Sequence, residues 1–551
     1  MAMTILGGLV LATVSLTLST WGLSWGMPSD VSWAPDTVAG TRTLAQMGRW
    51  PDGWRTHYPP FHFFINDLAY APMLEEWQSN EQMKWVQTFQ DGSPPLLDAT
   101  PGDSGVEPLF VPPAEEKIAR LIIRSRWISV FMSLGAVLAT AGAGWLLFGR
   151  RWVGFCAGLT LATCAEWTYF SHLGNLDIPH MFWFSLSLLA YIQAWRTDRA
   201  WCFAVLGVLT AVTVATKDAV AGMYVGMALV LIVGRVIRAR RAGAATAGAM
   251  LASVMPKLLL GLVCCAVPYA LIQGLFVSPR TYWNRLVSYY IQGRGIADFN
   301  QAYEGPLWLA REAIAVAAKA LGWPLLIAMG MATVYSLVRK RREALIMVTP
   351  CVTYYLVVCS YAGMVYARML FPVYACLAIL LGHGMDRLVG SKRVPAPLRH
   401  GTVFALFALS FGYCAAVDLD MTNDTRYRAE EWLVDHVRAD EAIGVFAHRQ
   451  YLPRLPRIGR RSTALEMTRE RLLDQPPPYV LLVSHNYDDF TSDERECMAE
   501  LLAGRLGYGL VASFQRRFLP PNRWLPAIAG WGTRGAGKVS PTIHILERTG
   551  G

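Results

Sequence analysis

Apolar residues gather in long runs along this chain, and the polar residues fall between them. Eleven such runs lie near 4–23, 127–148, 153–170, 178–195, 201–216, 219–236, 254–277, 321–338, 344–360, 368–386 and 401–417. A helix crosses the ~30 Å hydrocarbon core of a bilayer with about 20 apolar residues, so the pattern predicts about eleven transmembrane helices. The first run, TILGGLVLATVSLTLSTWGL, has no basic start and no small-x-small cleavage site, so it reads as a helix, with a cleaved leader as the rival.

The connectors alternate in character. One set is basic: Arg150-Arg151, Arg196 and Arg199, Arg235 to Arg241, Arg339 to Arg342, and Arg387 with Lys392 and Arg393. The other set holds Asp30 and Asp36, His172 to Asp177, Lys217-Asp218, Ser278 to Pro306, and Tyr361 to Arg368. Placing the basic set in the cytoplasm puts the second set outside, and an odd number of spans exports the C-terminal tail. The first outer loop, 24–126, is long and polar. It predicts helices near Thr37 to Met47 and Phe61 to Met73, a Pro, Gly and Asp-rich piece from Asp91 to Pro113, and an amphipathic lead from Ala114 to Arg126.

From Asp418 the composition turns soluble. A helix is expected over Arg428 to Arg438, short buried strands over Ala442 to Phe446 and Tyr479 to Ser484, and another helix near Asp493 to Gly507. The expected fold is therefore an α-helical polytopic membrane domain, 1–417, followed by a small extracytoplasmic α/β domain, 418–551.

Composition agrees. The 551 residues are 54% hydrophobic, with mean hydropathy +0.30, too apolar for a soluble protein. Nine of the ten cysteines lie in or at apolar segments and none forms a CxxC, so no disulfide framework or zinc site is expected. The net charge of +10 sits between the apolar runs, where it signals topology and not nucleic-acid binding.

The candidate chemistry lies on the expected outer face. Asp36, in WAPDT, precedes an expected helix and is either its N-cap or a general base; Asp30, in PSD, is a turn residue or a second acid. The run His57-Tyr58-Pro59-Pro60-Phe61-His62 is a rigid turn or a wall of a site. Asp177 sits at a membrane edge between His172 and His180, either as a helix cap or as a functional acid. Groups of this kind could hold a divalent cation, with Asp36, Asp177 and His180 the candidate ligands, although the spacing matches no metal signature. Lys217, beside Asp218, forms an internal ion pair or offers positive charge to a phosphate. Arg368, in VYARMLFP, either snorkels or grips a phosphate oxygen in the bidentate manner of guanidinium. The loop SPRTYWNRLVSYYIQGRG carries Arg280, Arg285 and Arg294 among aromatics, which suits the headgroup layer.

In this order the motifs resemble the GT-C superfamily of integral-membrane glycosyltransferases, close to the dolichyl-phosphate-mannose protein mannosyltransferase and aminoarabinose transferase type. The resemblance rests on WAPDT with Asp36, the YPP element at Tyr58, HLGNLD with Asp177, ATKDA with Lys217, EGP at Glu304, YARMLFPVYACLAILLG with Arg368, and NDTRYRAEEWL after the last run. It covers residues 1–435. Thr37 follows Asp36, where that family often has Asp-Glu.

The resemblance implies a polyprenyl-phosphate sugar donor, a lipid, glycan or protein acceptor, transfer on the outer face of the cell membrane, and inversion at the anomeric carbon. It implies Asp36 as the base. Asp177 would orient it, the acceptor or a metal. Lys217 and Arg368 would hold the phosphate, and Asp30, His57, Tyr58, His62 and His172 would line the substrate site. The alternatives are a transporter, which would need polar groups at mid-membrane, and a non-catalytic envelope assembly protein.

Overall fold

The computed structural model describes residues 2–29, 31–34, 37–54, 56, 58–79, 83–84, 109–110, 114–241, 246–287, 304–474, 476–484, 491–516 and 538–549. Asp30, Asp36, His57 and Arg294 lie outside the described residues.

Each apolar run carries helix. Six helices among the described residues are long and apolar enough to cross a membrane, or seven if one bent pair counts as a span. The other runs form shorter or less apolar helices, such as Ala2–Thr20, Asp177–Thr197 and Ala200–Val214. The expected lead from Ala114 to Arg126 is continuous with the next run, giving one 35-residue helix, Ala114–Phe148. Two runs are interrupted, and the run 321–338 is preceded by a further helix set at an angle to it. Thr163 turns its hydroxyl back onto Leu159 O at 2.8 Å, and Cys164 takes extended backbone, so the expected 153–170 helix divides into Arg151–Ala162 and Ala165–Ser171. Gly322, at φ 78°, supports a 119° bend between Pro306–Leu321 and Trp323–Arg339 that a side chain would resist. Tyr355–Cys359 forms a π turn.

Helix contacts in the bundle are close because small residues meet backbone. Gly207 faces the Gly261 carbonyl, and a Cβ on Gly226 would stand 2.5 Å from Pro350 Cα. Such packing matters in lipid, where apolar surface alone does not draw helices together. The outward residues, among them Leu262, Val263, Val334 and Phe404, are exposed and apolar, as a lipid-facing surface requires.

The tail forms a five-stranded sheet in the order Arg461–Ala464, Ala442–Val445, Tyr479–Val483, Ile543–Arg548, Tyr508–Phe514. The first three strands are parallel, and the last two join antiparallel. Tyr479–Val483 is buried on both faces. Its alternate residues divide between two cores: Leu481 and Val483 with Leu433 of the Thr425–His436 helix, and Val480 and Leu482 with Leu501 of the Ser492–Leu502 helix. The two expected strands and two expected helices are present within a few residues of their expected bounds; the other three strands are additions.

The first loop joins the bundle to the sheet. Trp25 Nε1 donates to Asp424 Oδ2 at 2.8 Å, and Gly26 N donates to Tyr427 OH at 2.7 Å. Trp33 lies between two guanidiniums, Arg426 at 4.1 Å and Arg454 at 5.6 Å from its ring. Arg454 also donates to Met27 O at 2.7 Å while paired with Glu430 at 2.6 Å. Arg126, fully buried on the long helix, donates to Leu23 O and Trp25 O at 2.6 and 2.8 Å. The two carbonyls take one end of the buried guanidinium and Ser32 Oγ accepts from the other at 3.4 Å, while Nε has no partner among the described residues.

Candidate active site

Asp177, Lys217 and Arg368 come from three separate segments and meet at the sheet end of the bundle. Asp177 is the first residue of the Asp177–Thr197 helix. Its backbone N–H donates to Asn175 Oδ1 at 3.1 Å, and Asn175 Nδ2 donates back to Asp177 Oδ2 at 3.0 Å. The other carboxylate oxygen, Oδ1, is ion-paired with Lys217 Nζ. Arg368 stands within electrostatic range of the same carboxylate. It lies in the short turn Ala367–Leu370, its guanidinium 5.8 Å from the Phe170 ring and 5.6 Å from the Tyr366 ring. The cluster is mostly sheltered: the Asp177 and Lys217 side chains are 5% and 15% exposed. Two cations thus share the surroundings of one carboxylate, and their charge holds it ionised.

The neighbours Lys217 and Asp218 do not pair with each other. Asp218 instead takes Arg285 at 2.7 Å, and Arg285 also donates to Gln273 Oε1 at 3.2 Å. Arg285 is therefore buried on the Pro279–Leu286 helix, which corrects its expected place in the headgroup layer. Its guanidinium is held because a buried acid requires a partner.

The first loop closes over this cluster. Val38 N donates to Gly174 O at 2.9 Å, and Phe61 N donates to Ala215 O at 3.0 Å. Gly174 permits the approach: a Cβ there would lie 2.7 Å from Ala39 Cβ and 2.9 Å from Ser125 Cβ. The residues flanking Pro35-Asp36 are thus fastened to the turn that carries Asp177. The Thr41–Met47 helix has Gly40 at its N-cap. Sequence reasoning passed over Asn175, Arg126 and Gly174. An Asn two residues before an acid at a helix start was the available signal for Asn175.

The remaining candidates have other surroundings. Tyr58 is partly buried; its N–H donates to Thr56 Oγ1 at 3.1 Å, and its carbonyl accepts from Trp54 Nε1 at 2.9 Å. His62 is fully buried on the Phe61–Ser79 helix, its ring nitrogens without a hydrogen-bond partner among the described residues. Burial pushes its pKa down to about 3. His172 points away from Asp177. Its ring nitrogens face Thr168 O at 2.7 Å and Trp21 O at 2.9 Å, and Nε2 lies 3.6 Å from Asp418 Oδ1. It therefore pins the end of the first helix to the bundle. His180 Nδ1 bonds Leu176 O at 3.0 Å, and the ring is within electrostatic range of Asp177 and Lys217.

Among the described residues, no group of three or more His, Cys, Asp and Glu is placed to hold a metal ion. Both oxygens of Asp177 are engaged, one by a cation and one by an amide donor. Asp36, the third candidate ligand with Asp177 and His180, is outside the described residues.

No family model matches the sequence, and no curated protein matches it. Among solved structures the chain is similar to ArnT from Cupriavidus metallidurans in the apo state, at 14% identity and a TM-score of 0.47 over 98% of this chain and 97% of that one. It is similar to the same protein bound to undecaprenyl phosphate, at 13% identity and a TM-score of 0.46 over the same shares. It is also similar to the Archaeoglobus fulgidus oligosaccharyltransferase in complex with Zn and sulfate, at 12% identity and a TM-score of 0.45 over 92% of this chain and 71% of that one.

Proposed function

We propose that this protein is a membrane glycosyltransferase that moves a sugar from a polyprenyl-phosphate donor to an acceptor hydroxyl on the outer face of the cell membrane, with inversion. The observation that carries this reading is the convergence of Asp177, Lys217 and Arg368, which lie 40 and 151 residues apart along the chain, beneath the first-loop segment that flanks Asp36. The end of the bundle where they meet is the end without the long basic connectors, which supports an outer-face site.

In this reading Asp36 accepts the proton of the acceptor hydroxyl as its oxygen attacks the anomeric carbon. The bond from that carbon to the phosphate oxygen breaks, and the polyprenyl phosphate leaves with the electron pair. Lys217 and Arg368 balance the charge that develops on the phosphate. Asp177 keeps Lys217 in place and offsets one positive charge when no donor is bound. The donor already carries its leaving group, so orientation and charge stabilisation are the main work of the site.

The test is incubation of the purified protein with a panel of polyprenyl-phosphate sugars and lipid, glycan and peptide acceptors, with mass analysis for added hexose or pentose. Asp36→Asn is expected to abolish transfer while leaving insertion and folding unchanged. Normal turnover by that variant removes Asp36 from the mechanism. Transfer of no sugar from any donor in the panel counts against the polyprenyl-phosphate reading.

A further inference from the structure

The long helix Ala114–Phe148 carries a second feature at the sheet end. Between its outer turns, the Ser24–Pro28 segment and Met73 lies an open groove of about 700 Å³. Its floor is apolar, from Met27, Ala119 and Ile123, and Arg120 and Arg124 stand at its edge. Both arginines are exposed and one helical turn apart. Glu116, one turn further out, also lines the groove, so its charged residues sum to a positive surplus.

The depth of the groove follows from helix geometry. The helix has 35 residues, about 52 Å of length, against a hydrocarbon core of ~30 Å. Counting about 20 residues back from Phe148, beside the basic Arg150-Arg151 connector, places the outer boundary of the hydrocarbon near Trp127. Trp127 is 40% exposed, and its ring stacks on that of Phe131 at 5.8 Å, as aromatic side chains do at a membrane interface. Arg124 and Arg120 then stand roughly 4.5 and 10 Å above it, at the level of lipid phosphates.

We propose that this groove seats an anionic phospholipid of the surrounding bilayer, its phosphate between Arg120 and Arg124, its headgroup beside Met27 and Ala119, and its first acyl carbons on Ile123 and Trp127. The matched occupant is an amphiphile because one cleft carries positive charge at its outer turns and apolar surface on the turns toward the hydrocarbon. The inner face of the same helix turns is fixed by Arg126 to Leu23 O and Trp25 O, so a bound lipid would brace the first loop from its lipid side.

The experiment is titration of the detergent-solubilised full chain with phosphatidylglycerol and, separately, phosphatidylcholine, with bound lipid counted by native mass spectrometry. The wild type is expected to prefer phosphatidylglycerol. Arg120→Gln with Arg124→Gln is expected to weaken that binding roughly fivefold per arginine removed, and Arg120→Lys with Arg124→Lys to retain most of it. Ile123→Trp, which fills the floor and leaves the charges, is expected to weaken it as well. Equal binding of both lipids by the wild type, or unchanged preference in the double Gln variant, overturns the proposal. So does full displacement of the lipid by glycerol phosphate, which would make the site one for free phosphate.

Discussion

Lys217 reaches across 40 residues of chain to Asp177 and leaves its sequence neighbour Asp218 to Arg285. The two ion pairs stand side by side in the bundle, and each draws a distant segment to the sheet end. If the Asp177–Lys217 pair acts as one unit, Asp177→Asn and Lys217→Met each lower the transfer rate by about 10²–10³, and the double variant is no slower than the worse single. Each single variant also loses about 3–5 kcal/mol of stability because one sheltered charge loses its ion-pair partner, and the double variant regains part of it. Initial rates with thermal unfolding of all four proteins check this; additive losses in rate would show that the two residues act separately.

His62 gives stability a pH dependence of definite sign. Its folded pKa of about 3 lies below the usual value of about 6.5, so the unfolded chain binds the proton more readily. The stabilising effect of a neutral His62 is complete above about pH 6.5 and is lost as the pH falls from there toward about 3. At pH 5 the expected loss is about 2 kcal/mol. His62→Phe removes two buried ring nitrogens that have no hydrogen-bond partner among the described residues and keeps a similar volume. Its stability relative to wild type is therefore expected to rise between pH 7.5 and pH 5 in denaturant titrations. A constant difference between the two proteins over that range would contradict the assignment.

Trp33 is the peg between first loop and tail. Its ring also lies 4.9 Å from Tyr427, and its neighbour Gly26, at φ 73°, packs so closely that a Cβ would stand 2.8 Å from Trp33 Cδ2. Trp33→Ala removes the ring from two guanidiniums and leaves a cavity, at a cost of about 3–5 kcal/mol. The expected outcome is faster proteolysis of the tail after the Ala396–Thr422 helix, with the bundle itself intact. Unchanged cleavage would mean that the loop does not hold the tail.

What could be read from the sequence was whatever depends on local composition. The apolar runs marked the helices, because transfer from water into lipid depends on side chains a few residues apart. YVLLV announced a strand buried on both faces, and the alternation of basic connectors sorted the ends of the bundle. Asp177, Lys217 and Arg368 stood out because charge beside an apolar run requires a reason.

Tertiary structure decided which charges meet. Adjacent side chains on a turning chain diverge, so Lys217 and Asp218 could not share a partner, and no local rule named Asp177 or Arg285 as theirs. Helix rotation and crossing, summed over many turns, also sent His172 to Trp21 and Asp418 and away from Asp177. Gly174, silent in the sequence, set how near the first loop comes to the charged turn, because only a residue without a side chain lets two backbones approach so closely.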